Sequence, residues 1–484
     1  MGRCMVLYSL KSRPGISLMS KQKPTHPHDT SLVGANYWQQ DKAHFIHPYT
    51  DFATFQQEGS HVISQGSGCY VVDRQGNQYL DAIAGLWCAN IGHGRAEMAD
   101  AIANQARKLQ YYNPFGHTTT EPAAELAEKL AQLMPGSLNH VFYTTGGSTA
   151  IDSAIRIIHY YNNLRGKPNK KKVIARKDGY HGSTYVAASL TGIAATKYEL
   201  DTIGDEWISH VSSADMYRRP IGAETLSEPD YAAFLCKELE NHILELGPEN
   251  VAAFIAEPVM GAGGVLVAPQ GYQRGVAEVC RKYDVLLIAD EVVTGFGRLG
   301  EWVACEAVYG FVPDVLILAK GINSGYVPLG AAIFSSEIYR VISQPQVEGG
   351  VFSMGFTYSG HALACAAALK NIEILESEDV LGNVRNLAPY FQSEARRLLD
   401  LAMVGDVRGE GFMLGIDLVA DKSTKAPFDV AHRIYQRCLH YGVIVRPIGH
   451  VVVISPPLII KKSEIDELFN ALEMSIKDVI ADKG

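Results

Sequence analysis

Val285-Leu286-Leu287-Ile288-Ala289 runs directly into Asp290-Glu291. The run has the length of a buried strand, far below the ~20 apolar residues that span a bilayer. It lacks clean polar alternation, so both of its faces are expected to be covered. Four runs of the same kind accompany it between about 140 and 330: Val141-Phe142-Tyr143, Val173-Ile174-Ala175, Val251–Ala256 and Val315–Ala319. Helical patterns alternate with them. This is the signature of an α/β layer fold, a mostly parallel sheet with helices on both faces.

Towards the N-terminus, Cys69-Tyr70-Val71-Val72-Asp73, a turn at Gln75-Gly76-Asn77 and Tyr79-Leu80-Asp81 read as short strands. Residues 121–134 read as a helix, with Ala124, Leu126, Ala127, Leu130 and Leu133 on its apolar side. An Ala-rich helix follows Ser359-Gly360. Beyond it, Gly411-Phe412-Met413-Leu414-Gly415-Ile416 and Val451–Ile454 read as strands, and the chain from about 462 as a helix. The N- and C-terminal segments together are expected to form a smaller α+β domain. The expected divisions are a leader at 1–30, a first segment of the small domain at 31–85, a large domain at 86–360 and the rest of the small domain at 361–484.

Composition bounds the function. A chain of 484 residues has room for two or three domains. Apolar residues at 47% and charged residues at 20% describe a soluble globular protein. A net charge of -9 without a basic block argues against nucleic acid or an anionic membrane as partner. The 8 Cys never form a C-x-x-C pair, which suits free thiols in a reducing compartment, so a cytoplasmic location is expected. Residues 1–28 carry Arg3, Lys11, Arg13, Lys21 and Lys23, with no acid before Asp29. This stretch has no apolar core for a secretory signal. It is expected to be a disordered tail, or an extension ahead of a start at Met19, with a mitochondrial presequence as the alternative.

In open parallel sheets, ligands bind at the carboxyl ends of the strands. After Val141–Thr144 come Gly146-Gly147-Ser148 and a helical pattern. After Val173–Ala175 a loop reaches Tyr180-His181-Gly182-Ser183-Thr184. The remaining three runs end in Glu257-Pro258, Asp290-Glu291 and Lys320-Gly321. Each element alone has a structural reading: Ser148 as a helix cap, Asp290 as another, Lys320 snorkelling from a strand end, Tyr180 as packing. Together they make the set that pyridoxal 5′-phosphate requires. The helix start offers free N–H groups to the phosphate, the carboxylate keeps the pyridine nitrogen protonated, the lysine forms a Schiff base and an aromatic ring covers the pyridine.

The sequence also resembles the class III (ω-amino acid:pyruvate type) aminotransferases of the fold-type I pyridoxal-phosphate superfamily, from about residue 35 to the C-terminus. Several long segments carry the resemblance: Ala84-Gly85-Leu86-Trp87, Asp178–Thr184, Ala256–Gly264, Ala289–Arg298, Leu318–Gly321, Gly355–His361 and Val445-Arg446-Pro447. The resemblance implies that Lys320 is the Schiff-base lysine and proton shuttle. It implies that Asp290 pairs with the pyridinium nitrogen, that Val292 packs behind the ring and that Tyr180 stacks in front. Gly147 and Ser148 would bind the phosphate, as would Thr357 from the neighbouring subunit of an obligate homodimer, or of a dimer of dimers. Glu257 and His181 would lie near the cofactor. Trp87 and Phe115 would line the substrate pocket, and Arg446 would be the mobile arginine that grips a carboxylate. The implied reaction is ping-pong transfer of an amino group from an ω-amino acid, diamine or other primary amine to pyruvate or a similar keto acid.

Two departures from the family pattern bear on specificity. Thr145-Gly146-Gly147-Ser148-Thr149-Ala150 stands where much of the family has Gly-Ser-Gly-Ser-Glu-Ala, and Phe115-Gly116 where many relatives have Phe-Phe. Losing one ring should reshape the pocket. The rival readings are an aminomutase, a racemase, a decarboxylating transaminase or a catalytically inactive relative. A nicotinamide-binding Rossmann protein is the most distant rival, because no G-x-G-x-x-G follows an early strand.

Overall fold

The computed structural model describes residues 36–204, 206–344 and 349–482. The expected leader at 1–30 lies outside the described residues. The chain divides into two compact units, one ending at His61 and one beginning at Val62. In the first, helices Tyr37–His44 and Phe52–Glu58 are each capped by a side chain: Asn36 accepts from the Gln39 amide and Asp51 from the Ala53 amide. Trp38 and Phe55 meet edge to face, with ring centroids 5.0 Å apart.

The second unit is built on a seven-stranded sheet. In spatial order its strands are Leu138–Thr144, Gly330–Ser335, Val315–Leu318, Leu286–Asp290, Val251–Ala256, Lys172–Arg176 and Ile208–Val211. The five from Val315–Leu318 onward pair in parallel. Gly330–Ser335 runs antiparallel to both of its neighbours, so the sheet is mostly, not wholly, parallel. The connection from Leu318 back to Gly330 therefore needs no crossover helix, and it is this turn that carries Lys320.

Side chains alternate along each strand, and in the four strands Val251–Ala256, Leu286–Asp290, Val315–Leu318 and Gly330–Ser335 both sets are buried. Ile255, Ile288 and Ile317 join Ile151, Ile155 and Ile158 of the helix Gly147–Leu164. Phe254, Leu287 and Leu316 join the opposite core. That core includes Tyr231, Leu235 and Leu239 of the helix Glu228–Leu246 and Val276 of the helix Tyr272–Lys282. Each such buried aliphatic or aromatic side chain contributes about 1.5–3 kcal/mol. This double burial is why the strands read as unbroken apolar runs.

Strands Ile63–Ser67, Tyr70–Asp73 and Gln78–Asp81 form a separate sheet. Val443–Ile444 completes it, with Val443 opposite Leu80. N- and C-terminal segments thus share one small sheet. A further antiparallel sheet holds Val404–Glu410, Met413–Asp421, Val451–Ile454 and Arg446–Ile448. Here the sequence reading is corrected. Gly411 and Phe412 are the turn between two strands, not the start of one, because Gly411 takes φ +55° to reverse the chain. The Ala-rich helix is Ala362–Ser377, and the last helix is Lys462–Ala481.

Candidate active site

Register brings the chemistry to one edge. Ala256 pairs with Ala289, so Glu257 and Asp290 leave adjacent strands at the same level. Asp290 pairs with Ile317, three residues before Lys320. Gly147 opens the helix that follows Leu138–Thr144. A Cβ placed on it would lie 3.2 Å from Val292 Cγ2 and 3.8 Å from the Ala319 Cβ. One glycine at a helix start therefore sits beside the residue two beyond Asp290 and the residue before Lys320, in a space that a larger side chain would fill.

The loop after Lys172–Arg176 closes over this point. The Tyr180 amide donates to Glu257 Oε1 at 2.9 Å, and the Gly261 amide to Glu257 Oε2 at 2.9 Å. His181 Nδ1 lies 2.8 Å from Asp290 Oδ2. The Ser183 amide donates to Ser148 Oγ at 3.0 Å, and the Tyr180 hydroxyl sits 3.1 Å from Ser183 Oγ. At the departure in the glycine loop, Thr149 Oγ1 donates to the Gly146 carbonyl at 2.9 Å and closes the helix start locally.

Electrostatics distinguishes the groups. Glu257 is buried, and burial followed by the charge of Asp290 pushes its carboxyl above the usual range, against the pull of His181 and the two amides. Burial likewise holds the Lys320 ammonium below the usual lysine range. Cys88, Asp290 and Glu257 oppose that shift, and the positive charge of Arg446 adds to it. These four residues come from four segments, so the field at Lys320 is a property of the assembled fold.

The loop Ala84–Trp87 is held in an unusual shape, with φ +49° at Ala84 and +64° at Trp87. Asp81 fixes it by accepting from the amides of Ile83 at 3.1 Å and Gly85 at 2.6 Å, and His93 Nε2 lies 2.8 Å from the same carboxylate. Trp87 is only 3% exposed and packs with Val259, Val265, Val451 and Val453, whereas Leu86 beside it is exposed. Arg446 opens the strand Arg446–Ile448 opposite Val453. Thr357 and Phe115 form a second group: the Tyr111 hydroxyl donates to the Thr357 carbonyl at 2.8 Å, and Phe115 lies against Gly355. Both Thr357 and Phe115 are exposed.

Sequence reasoning did not single out Asp81, His93, Cys88, Asn90 or Asn371, which support or surround this edge. The signal for Asn90 was an asparagine between apolar neighbours, at Ala89-Asn90-Ile91; Asn371, beside Lys370, carried none.

A family model for Aminotransferase class-III matches residues 54–476. The putrescine–pyruvate aminotransferase of Pseudomonas aeruginosa is 42% identical over 436 residues, which cover 89% of this chain and 94% of that one. An (S)-enantioselective ω-transaminase from Thermomicrobium roseum superposes with a TM-score of 0.88 at 40% identity, covering 92% of this chain and 98% of that one. An ω-transaminase from Pseudomonas jessenii, solved in complex with PMP, gives 0.88 at 37% identity, covering 91% and 97%. The fold is that of the fold-type I pyridoxal-phosphate transaminases. The chain belongs to the class III aminotransferases.

Proposed function

We propose that this chain binds pyridoxal phosphate through the residues above and transfers an amino group from a diamine, an ω-amino acid or another primary amine to pyruvate or a similar keto acid. The observation that carries the reading is the close approach of Gly147 to Val292 and Ala319, near enough that an added Cβ would meet both. It ties an anion-binding helix start, a carboxylate strand and a lysine turn to one place. The residues fit the cofactor. The glycine keeps the helix start open, Ser148 is in the first turn, Asp290 is a buried carboxylate and the Lys320 amine is held towards its neutral form.

When bound, the cofactor supplies an electron sink conjugated to the substrate amine carbon. The chain's own groups do the rest. Lys320, with its pKa drawn down, takes the proton from that carbon and returns it one position along. Asp290, braced by His181, holds a proton on the ring nitrogen. Tyr180 would cover one ring face and Val292 the other. Arg446 grips the keto-acid carboxylate with a planar fork of donors. Leu86, Trp87 and Phe115 shape the donor pocket.

We also infer a homodimer in which Thr357 serves the neighbour's phosphate. Thr357 is exposed, and Tyr112, Phe115, Val351 and Tyr358 are large exposed apolar residues on the same or contacting segments. A cytoplasmic location fits the seven free cysteines among the described residues. No helix of the described residues is long and apolar enough to cross a membrane.

The test is a donor panel of putrescine, short ω-amino acids and arylalkylamines with pyruvate as acceptor, followed by alanine formation. Alanine with a matching carbonyl product is expected, and Lys320→Ala should abolish it. Rearranged, racemised or decarboxylated donor without alanine would overturn the reading in favour of one of the rival reactions. A substantial rate in Lys320→Ala would remove Lys320 as the base.

A further inference from the structure

We infer that Asn371 is a positioning residue that aims the Lys320 amine, an inference that rests on the cofactor reading above. Asn371 sits in the helix Ala362–Ser377, where every other buried residue is an alanine, a cysteine or an aliphatic, among them Ala367, Ala368, Ile372 and Leu375. A fully buried amide among such neighbours is costly unless every polar atom is paired. Asn371 meets that condition entirely on the lysine turn. Its Nδ2 donates to the Gly321 and Ile322 carbonyls, each at 3.0 Å, and its Oδ1 accepts from Ser324 Oγ at 2.6 Å. Ser324 Oγ in turn accepts from the Ile91 amide at 3.3 Å.

The turn requires such a grip. Lys320 and Ser324 both lie in the left-handed region, at φ +43° and +52°. A side chain with a Cβ holds that conformation only where its surroundings over-determine it. From below, the turn rests on Asn90: a Cβ on Gly321 would lie 2.5 Å from Asn90 Nδ2 and 3.0 Å from the Phe296 Cβ. Asn90 itself is locked, donating to the Phe296 carbonyl at 2.8 Å and accepting from the buried Arg298 at 2.9 Å. Asn90 fixes the height of the turn. Asn371 fixes the Gly321–Ile322 and Ile322–Asn323 peptide planes, the second and third beyond Lys320, and so anchors the turn from which the lysine side chain is aimed. It does so without touching the amine.

The test uses two ligands that differ only in their need for Lys320. Pyridoxal phosphate attaches when the lysine amine adds to its aldehyde carbon and water leaves. Pyridoxamine phosphate carries no aldehyde and binds only through the phosphate, the ring and its nitrogen. In Asn371→Ala, attachment of pyridoxal phosphate, followed by absorbance and by borohydride trapping, should slow by about 10- to 100-fold, the scale of a small misplacement of a reacting group. The dissociation constant for pyridoxamine phosphate should stay within about twofold of wild type, well below one tenfold step in affinity. Ser324→Ala, which removes the brace on Asn371 Oδ1 together with the acceptor of the Ile91 amide, should show the same split at a few-fold level and serves if the first variant does not fold. Equal weakening of both ligands, or unchanged attachment, overturns the positioning role. A wild-type chain that never attaches pyridoxal phosphate overturns the cofactor reading and this inference with it.

Discussion

His181 Nδ1 and Asp290 Oδ2 lie 2.8 Å apart, with 1% and 4% of the two side chains exposed. The other Asp290 oxygen accepts from the Val292 amide at 3.2 Å. A buried carboxylate so held is fixed in direction, which a partner for a ring nitrogen requires.

Replacing His181 by Ala removes a hydrogen bond to a charged group, worth about 1.5–3 kcal/mol. The kcat/KM for a donor amine should fall by roughly ten- to a hundredfold. His181→Asn should recover part of it, because its amide nitrogen can stand near the Nδ1 position. Steady-state kinetics of the three forms checks this, and a wild-type rate in His181→Ala would show that Asp290 needs no brace.

Arg446 acts on Lys320 through its charge, yet its proposed task concerns only one substrate. A bidentate bond to a carboxylate is worth about 1.5–3 kcal/mol. Arg446→Ala should therefore weaken pyruvate by roughly ten- to a hundredfold and leave the half-reaction of a donor without a carboxylate little changed. Single-turnover kinetics of each half separates the outcomes. Equal losses would assign Arg446 to the fold or the cofactor.

The strands that position this edge were legible because both of their faces are buried, which leaves unbroken apolar runs such as Val251–Ala256. Gly330–Ser335 was not. Its small residues Gly330, Ala331 and Ala332 read weakly as strand, and its antiparallel direction breaks the alternation with helices. The edge itself was legible in Glu257, Asp290 and Lys320, since a charged residue directly after an apolar run has one natural place. The supports were not, because their partners are distant in sequence. Asn371 is about fifty residues from the turn it grips, and Asn90 more than two hundred from Arg298. Thr357 and Phe115 stand on exposed segments, so only the family resemblance pointed to them.

Asp417 gives a prediction about pH. It is fully buried and takes Arg218 in a two-pronged bond at 2.6 and 2.7 Å, with Arg408 Nη1 at 3.0 Å and His450 Nε2 at 3.6 Å. Burial alone would raise its carboxyl. The Arg218 hydrogen bonds, His450 and the Arg408 charge outweigh burial and hold it well below the usual aspartate range. The folded value lies below the unfolded one, so the stabilisation is present above the unfolded pKa of about 3.9 and is lost as pH falls towards the folded value. Asp417→Ala leaves two guanidiniums without their shared anion and should cost about 3–5 kcal/mol at neutral pH. Denaturation of both forms across pH should show the difference shrinking only below the ordinary aspartate range. A pH-independent difference would mean that packing, not charge, sets the cost.

Gly182 and Ser148 provide a test of the site's tolerances. A Cβ on Gly182 would lie 2.3 Å from Ser148 Oγ, 2.7 Å from its Cβ and 2.9 Å from its Cα, and Gly182 has φ +136°. The side-chain oxygen could swing aside, but the Cα belongs to the first turn of the helix Gly147–Leu164 and cannot move alone. Gly182→Ala must therefore displace either the helix start or the loop carrying Tyr180 and His181. Either shift should lower stability by about 1–3 kcal/mol, the usual cost of overpacking. Gly146→Ala is the matched control: it lies at the start of the helix Gly147–Leu164, on the other side of the contact, in extended backbone, with nothing within 4 Å of its added Cβ. Its effect on the stability of the cofactor-free chain should stay within about 0.5 kcal/mol. Thermal melting of the two cofactor-free variants compares them directly, and equal melting temperatures would show that the contact between Gly182 and Ser148 yields without cost.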